Sequence, residues 1–170
     1  FFSFRHPRRL EAEQLVDALG QVTGKPMKFL GVPVTVKAVH LPAPDLAQRN
    51  RSMIGDIEFL KVFGQPERQT VCSCERAGDP GLGQALQLFN GKLFNSMLTA
   101  SDSLFRKSLS AKKPLSEIVE NLHLSSLSRF PNEKEKAIAL AYLEKATDKG
   151  KALEDLYWAI LNRNEFLFNH

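Results

Sequence analysis

The residues of this chain best suited to chemistry stand close together, in the run TVCSCERAGDPGLGQALQLFN over 70–90. Cys72 and Cys74, the only cysteines, are followed by Glu75, Arg76 and Asp79. Asp79 is a good N-cap and Pro80 suits a first helical position, so the cluster sits just ahead of an expected helix N-terminus. Exposed backbone N–H groups there favour negative charge and lower a thiol pKa. Four readings of the cysteine pair compete. A structural pair, bridged or buried as thiols, ranks first because cysteine is among the most buried residue types. A bridge from i to i+2 requires a local turn, since bridged Cα atoms sit about 4.4–6.8 Å apart. A redox-active dithiol ranks second, with Arg76 and the helix terminus stabilising a thiolate. A metal site ranks third: zinc sites usually leave two or more residues between neighbouring cysteines, and His40 would have to join from elsewhere in the fold. Covalent haem ranks last, because the C-x-x-C-H run is absent. No metal and no cofactor is expected in this chain.

The flanking residues offer an anion-binding edge, with Gly81 and Gly83 permitting close backbone approach. The structural alternative is stronger. Asp79 already occupies the N–H groups that an external anion would need, and Glu75 with Arg76 suffices as an ion pair. Gln84 and Asn90 are expected to be solvent-exposed helix polars. Elsewhere Arg9, Glu13 and Asp17 recur every four residues, which on a helix makes a charged ladder along one face. Acid–base work there requires a buried carboxylate with a raised pKa; an ion-paired surface is the expectation. The histidines, His6, His40, His123 and His170, lack a Ser or Cys partner at recognisable spacing. Tyr157 and Trp158 stand at helical spacing and read as core.

The elements that would position these groups are mostly helices. RRLEAEQLVDALGQVTG (8–24) places Leu10, Leu15, Val16, Leu19 and Val22 near one face, with Gly24, Lys25 and Pro26 as a stop. The prolines and β-branched residues of 27–44, with Val32, Val34, Val36 and Ala38 alternating, predict one or two short strands within an irregular region over 25–70. From Asp79 an apolar series through Leu82, Leu86, Phe89, Leu93 and Met97 predicts a long helix that Gly91 weakens. A shorter helix follows over 101–109. Pro114 opens another, carrying Ile118, Val119, Leu122 and Leu127 and ending before Pro131. Asn132 and Glu135 form a capping-box pattern ahead of the apolar series Ala137, Ile138, Ala141 and Tyr142. Gly150 then separates this helix from the last, where Leu153, Leu156, Tyr157 and Ile160 follow the i, i+3, i+4, i+7 pattern. The chain therefore reads as mainly α, an irregular helical bundle with a small β or irregular element in its N-terminal half. Short connections favour antiparallel neighbours. One domain over 1–170 is the expectation, helical at 8–24 and again over 79–170.

Composition fits a globular domain: 43% hydrophobic and 25% charged residues. The longest apolar run, 137–143, falls far short of the roughly 20 residues a membrane span needs, so no membrane insertion is expected. The +4 net charge is spread along the chain, and the one basic cluster with aromatic neighbours, at Arg5, His6, Arg8 and Arg9, leads into an acid-containing helix. No nucleic-acid partner is expected.

Four segments carry a family resemblance: RRLEAEQLVDALGQVTG (8–24), FLKVFGQPERQTVCSCERAGDPGLGQALQLFNG (59–91), LHLSSLSRFPNEKEKAIALAYL (122–143) and ALEDLYWAILNRNEFLFNH (152–170). The most specific pieces are C-x-C-E-R at 72–76, D-P-x-L-x-Q-A-L at 79–86 and the terminal E-F-L-F-N-H. Together they resemble the C-terminal part of the planctomycete domain-of-unknown-function family 1553, which ends large exported proteins that often carry a cytochrome c-like region. The resemblance implies a C-terminal piece of such a protein, exported to the periplasm or cell surface, where a Cys72–Cys74 disulfide could persist. It assigns no catalytic roles; Cys72, Cys74, Glu75, Arg76 and Asp79 carry over only as a shared motif. The function expected first is a non-catalytic binding or docking module, with other domains of the same exported protein or a cell-surface polymer as partner. The alternative is part of an oxidoreductase or hydrolase acting on an extracellular polymer, with chemistry near Cys72, Cys74 and Glu75.

Overall fold

Asn132 starts its helix as its spacing predicts. Its side chain accepts a hydrogen bond from Glu135 N at 2.9 Å while Glu135 Oε2 accepts one from Asn132 N at 2.9 Å, a complete capping box. A computed structural model of the chain describes residues 8–28, 33, 35–40 and 91–169. These are mainly helical: α1 (Ala12–Thr23), α2 (Lys92–Thr99), α3 (Leu104–Ser110), α4 (Leu115–Leu127), α5 (Glu133–Lys145), α6 (Lys149–Leu161) and α7 (Asn164–Leu167). A two-residue strand β1 (Arg8–Arg9) pairs antiparallel with β2 (Phe168–Asn169), Arg8 opposite Asn169 and Arg9 opposite Phe168. The mainly α reading with a small β element holds. The described chain divides into two units, one gathering Phe1–Arg9, Gln21–Gly24 and Leu98–His170, the other Leu10–Gly20 and Lys25–Met97.

In the first unit α4, α5 and α6 pack on one another, with α3 against α6 and α7 against both α4 and α6. Ile118, Val119 and Leu122 of α4, Leu143 of α5, and Leu153, Tyr157, Ile160 and Leu161 of α6 form its core. The Phe105 ring of α3 lies 4.7 Å from that of Tyr157, tilted by 41°. Pro114 opens α4, and Ser128, in a left-handed conformation at φ 55°, closes it with its N–H on Leu124 O. Lys149 clamps the end of α5: its Nζ donates to Leu143 O, Glu144 O and Ala146 O at 2.6, 2.8 and 2.9 Å.

In the second unit, Ala12, Leu15, Val16 and Leu19 of α1 are buried, as are Met27, Leu93, Phe94 and Met97. The helix signal of 8–24 begins later than its periodicity implies, because Arg8 and Arg9 spend their backbone groups on the β ladder. Arg9 lies outside the helix and Glu13 is 3% exposed, so the expected row of Arg9, Glu13 and Asp17 does not run along one exposed helix face. Asp17 instead receives Ala38 N at 2.8 Å and Val39 N at 3.1 Å, capping a 3-10 turn at Ala38–His40. This corrects the strand expected through Ala38 and His40: the Ala38 and Val39 N–H groups go to the Asp17 carboxylate and His40 N donates to Lys37 O at 3.0 Å, so none of them joins a ladder.

Two glycines also behave otherwise than their positions in the sequence suggest. Gly91 lies outside the helix that was expected to run through it; α2 starts at Lys92, with Gly91 O accepting from Asn95 N at 3.1 Å. Gly150 is not a separator but a buried residue inside α6, whose N-cap is Asp148, accepting from Lys151 N at 3.0 Å. A Cβ at Gly150 would stand 3.2 Å from Asp148 Oδ1 and 3.4 Å from Arg106 Nη1, so close packing, not helix termination, explains the glycine.

Candidate functional site

The motif of Cys72, Cys74, Glu75, Arg76 and Asp79 lies outside the described residues, as do Gly81, Gly83, Gln84 and Asn90. Within the first unit the described chain shapes two other features that bear on function.

One is a groove of about 450 Å³. Val22, Leu104, Ile118, Leu124 and Tyr157 make its apolar walls, and Ser108, Asn121 and Ser125 add uncharged polar groups. The elements dictate this lining. Leu104 opens α3 and Ser108 follows one turn later, while Ile118, Asn121, Leu124 and Ser125 recur at helical spacing along α4. Leu104 and Leu124 remain 46% and 37% exposed, so the walls face outward. Ser125 Oγ donates back to Leu122 O at 3.1 Å. Burial pushes the Tyr157 hydroxyl well above its ordinary pKa, leaving it neutral. The lining therefore offers shape, apolar surface and neutral hydrogen bonding, a set suited to binding.

The other feature is an ion network where α4, α5 and α7 meet. Arg129 Nη1 and Nη2 donate to Glu135 Oε2 and Oε1 at 2.8 and 2.9 Å, a bidentate fork. Arg129 Nε and Nη2 also donate to Glu165 Oε1 and Oε2 at 2.5 and 2.9 Å. Arg163 adds a bond from Nη1 to Glu135 Oε1 at 2.9 Å and an ion pair with Glu165 at 3.4 Å. The hydrogen bonds of Arg129, helped by the Asn132 N–H and Arg163, hold the Glu135 carboxyl far below the usual carboxylate range. Arg129 likewise lowers Glu165. A carboxylate kept ionised and saturated with donors is a poor general acid and a poor base. The network fastens the fold.

His123 is buried with Nδ1 2.9 Å from Val119 O, a backbone partner rather than a catalytic one. Tyr157 is core, as its spacing implies, and Trp158 is half-buried. Among the described residues no cluster of three or more His, Cys, Asp or Glu gathers, and no helix is long and apolar enough to cross a membrane.

Sequence reasoning missed Arg129, Arg163 and Glu165 because 36 positions separate Arg129 from its second carboxylate. The only local signal was the terminal E-F-L-F-N-H run, which contains Glu165. That run and the capping box are joined through Arg129, and a comparison with known families bears on the same stretch of chain. A family model described as PSD1, Protein of unknown function (DUF1553), matches residues 1–143. The chain belongs to this family. The DUF1553 match takes in α1 to α4 and nearly all of α5, including Arg129 and Glu135, while α6 and α7 lie beyond it. No curated protein and no solved structure matches the chain.

Proposed function

We propose that this DUF1553 chain is a non-catalytic docking module of an exported periplasmic or cell-surface protein. Its groove receives an uncharged, apolar segment from another domain of the same protein. The observation that carries this reading is the lining of the groove. Five apolar or aromatic side chains surround three neutral polar ones, with the tyrosine held neutral. Such a surface rejects a charged occupant, because a buried unpaired charge costs several kcal/mol. It gains roughly 1.5–3 kcal/mol for each large apolar side chain it covers.

The test is a titration of the full chain against the remaining domains of its parent protein, expressed separately. Leu124→Glu places a charge on the groove wall at a half-exposed site, so it is expected to leave the helical circular dichroism intact. It is expected to weaken binding at least roughly tenfold, the loss of one apolar contact. Wild-type affinity in this variant, or no binding by the unmodified chain, overturns the reading.

A further inference from the structure

We infer that the outward face of α5 is a second docking surface, one that fits an amphipathic helix bearing carboxylates, supplied by another polypeptide. The run AIALAYL over 137–143 is apolar in every direction around the helix. A helix of that kind is normally covered on all sides. Here only one side is covered: Ala139 and Leu143 are 3% and 0% exposed, whereas Ile138 and Tyr142 are 71% and 46% exposed. The apolar series of Ala137, Ile138, Ala141 and Tyr142 points outward, and Ala139 and Leu143 do the packing.

The relief of that face specifies a helix as its occupant. Ala137 and Ala141, both exposed, make one i, i+4 row, and Ile138 with Tyr142 make the adjacent one. A shallow furrow therefore runs beside a raised ridge, the surface form that lets two helices interlock at an axial distance of about 8–10 Å. The ridge is held in place, since Tyr142 OH donates to Asp155 Oδ2 on α6 at 2.8 Å.

Charge selects the kind of helix. Lys134 and Lys145, both exposed, close the stripe at its two ends, about 16 Å apart along the axis at 1.5 Å per residue. Carboxylates at matching spacing along the partner's seam would meet both, provided its flank over the exposed Glu133–Glu144 edge carries none. A second copy of the chain fits worse. Antiparallel two-fold pairing sets Lys134 against Lys145 of the other copy and the Glu133–Glu144 edge against the same edge. Parallel pairing stacks each lysine on its own counterpart. Like charges juxtaposed at an interface disfavour both arrangements.

The surface shares no residue with the groove and does not depend on it. Two synthetic helical peptides test it, identical in an alanine and leucine face but flanked by glutamates in one and lysines in the other. Each is titrated into the full chain and followed by NMR. The glutamate peptide is expected to shift Ile138 and Tyr142 resonances and to bind roughly three- to tenfold more tightly than the lysine peptide. Lys134→Glu with Lys145→Glu is expected to erase that preference without touching the apolar face. Ile138→Glu, at an exposed site that leaves the fold intact, is expected to abolish binding. Equal binding of the two peptides, binding that survives Ile138→Glu, or no binding at all overturns the proposal. So does a sedimenting dimer that Ile138→Glu dissolves, which would make a second copy the occupant.

Discussion

Glu135 does two jobs with one carboxylate: it completes the capping box of α5 and accepts the guanidinium fork of Arg129. Because Arg129 holds this carboxyl, and less strongly Glu165, below the ordinary range, the folded chain binds fewer protons than the unfolded one at acid pH. Stability from the pair is then complete above the unfolded value near 4.3 and drains away as pH falls from there toward the lower folded values. Denaturant unfolding at a series of pH values should show this decline below about pH 4.3, and Arg129→Ala should be both less stable at pH 7 and flatter in acid. An unchanged acid slope in that variant would place the pH dependence elsewhere. Only half of this arrangement could be read along the sequence. Asn132 and Glu135 stand three apart and announce their hydrogen bonds, because capping is local chemistry. Arg129 and Glu165 meet only after α4, α5 and α6 have folded, so no spacing rule reaches them.

At the scale of the element, the termini decide most of what was legible. Pro114 and Asn132 start their helices where expected, since a proline's fixed φ and an Asn side-chain cap act within one turn. Faces were harder. The sequence marks the middle of α5 as apolar all round, which leaves open which side the neighbours take; α4 and α6 pack where Ala139 and Leu143 are buried. Gly24 shows how a stop signal is built. It adopts φ +72° after α1, and Lys25 N bonds to Gly20 O at 2.9 Å, the long bond of a Schellman motif. A Cβ at Gly24 would also collide with Leu104 Cγ, at the groove wall. Gly24→Ala is therefore expected to destabilise the chain by at least about 1 kcal/mol, through left-handed strain plus the collision. Thermal unfolding measures it, and an unchanged midpoint would mean that Leu104 moves aside freely.

At the scale of the whole molecule, the mainly helical class was legible because helical periodicity recurs in segment after segment, whereas the thiol motif was legible only as chemistry without geometry. Its residues fall outside the described parts of the chain, and a Cys72–Cys74 bridge follows only from the exported setting proposed for the chain. Thiol titration of the denatured, unreduced protein should detect no free thiol, and reduction should expose both. Two titratable thiols without reduction would remove the bridge and favour the buried-thiol or dithiol readings.

The Lys149 clamp has a kinetic implication. With a capping box at its front and an ammonium gripping three carbonyls at its rear, α5 stands fully formed whether or not anything touches its outer side. A helix docking on the proposed surface would meet a backbone already in place, so the ordering cost on this side of the encounter is confined to side chains such as Lys134 and Lys145.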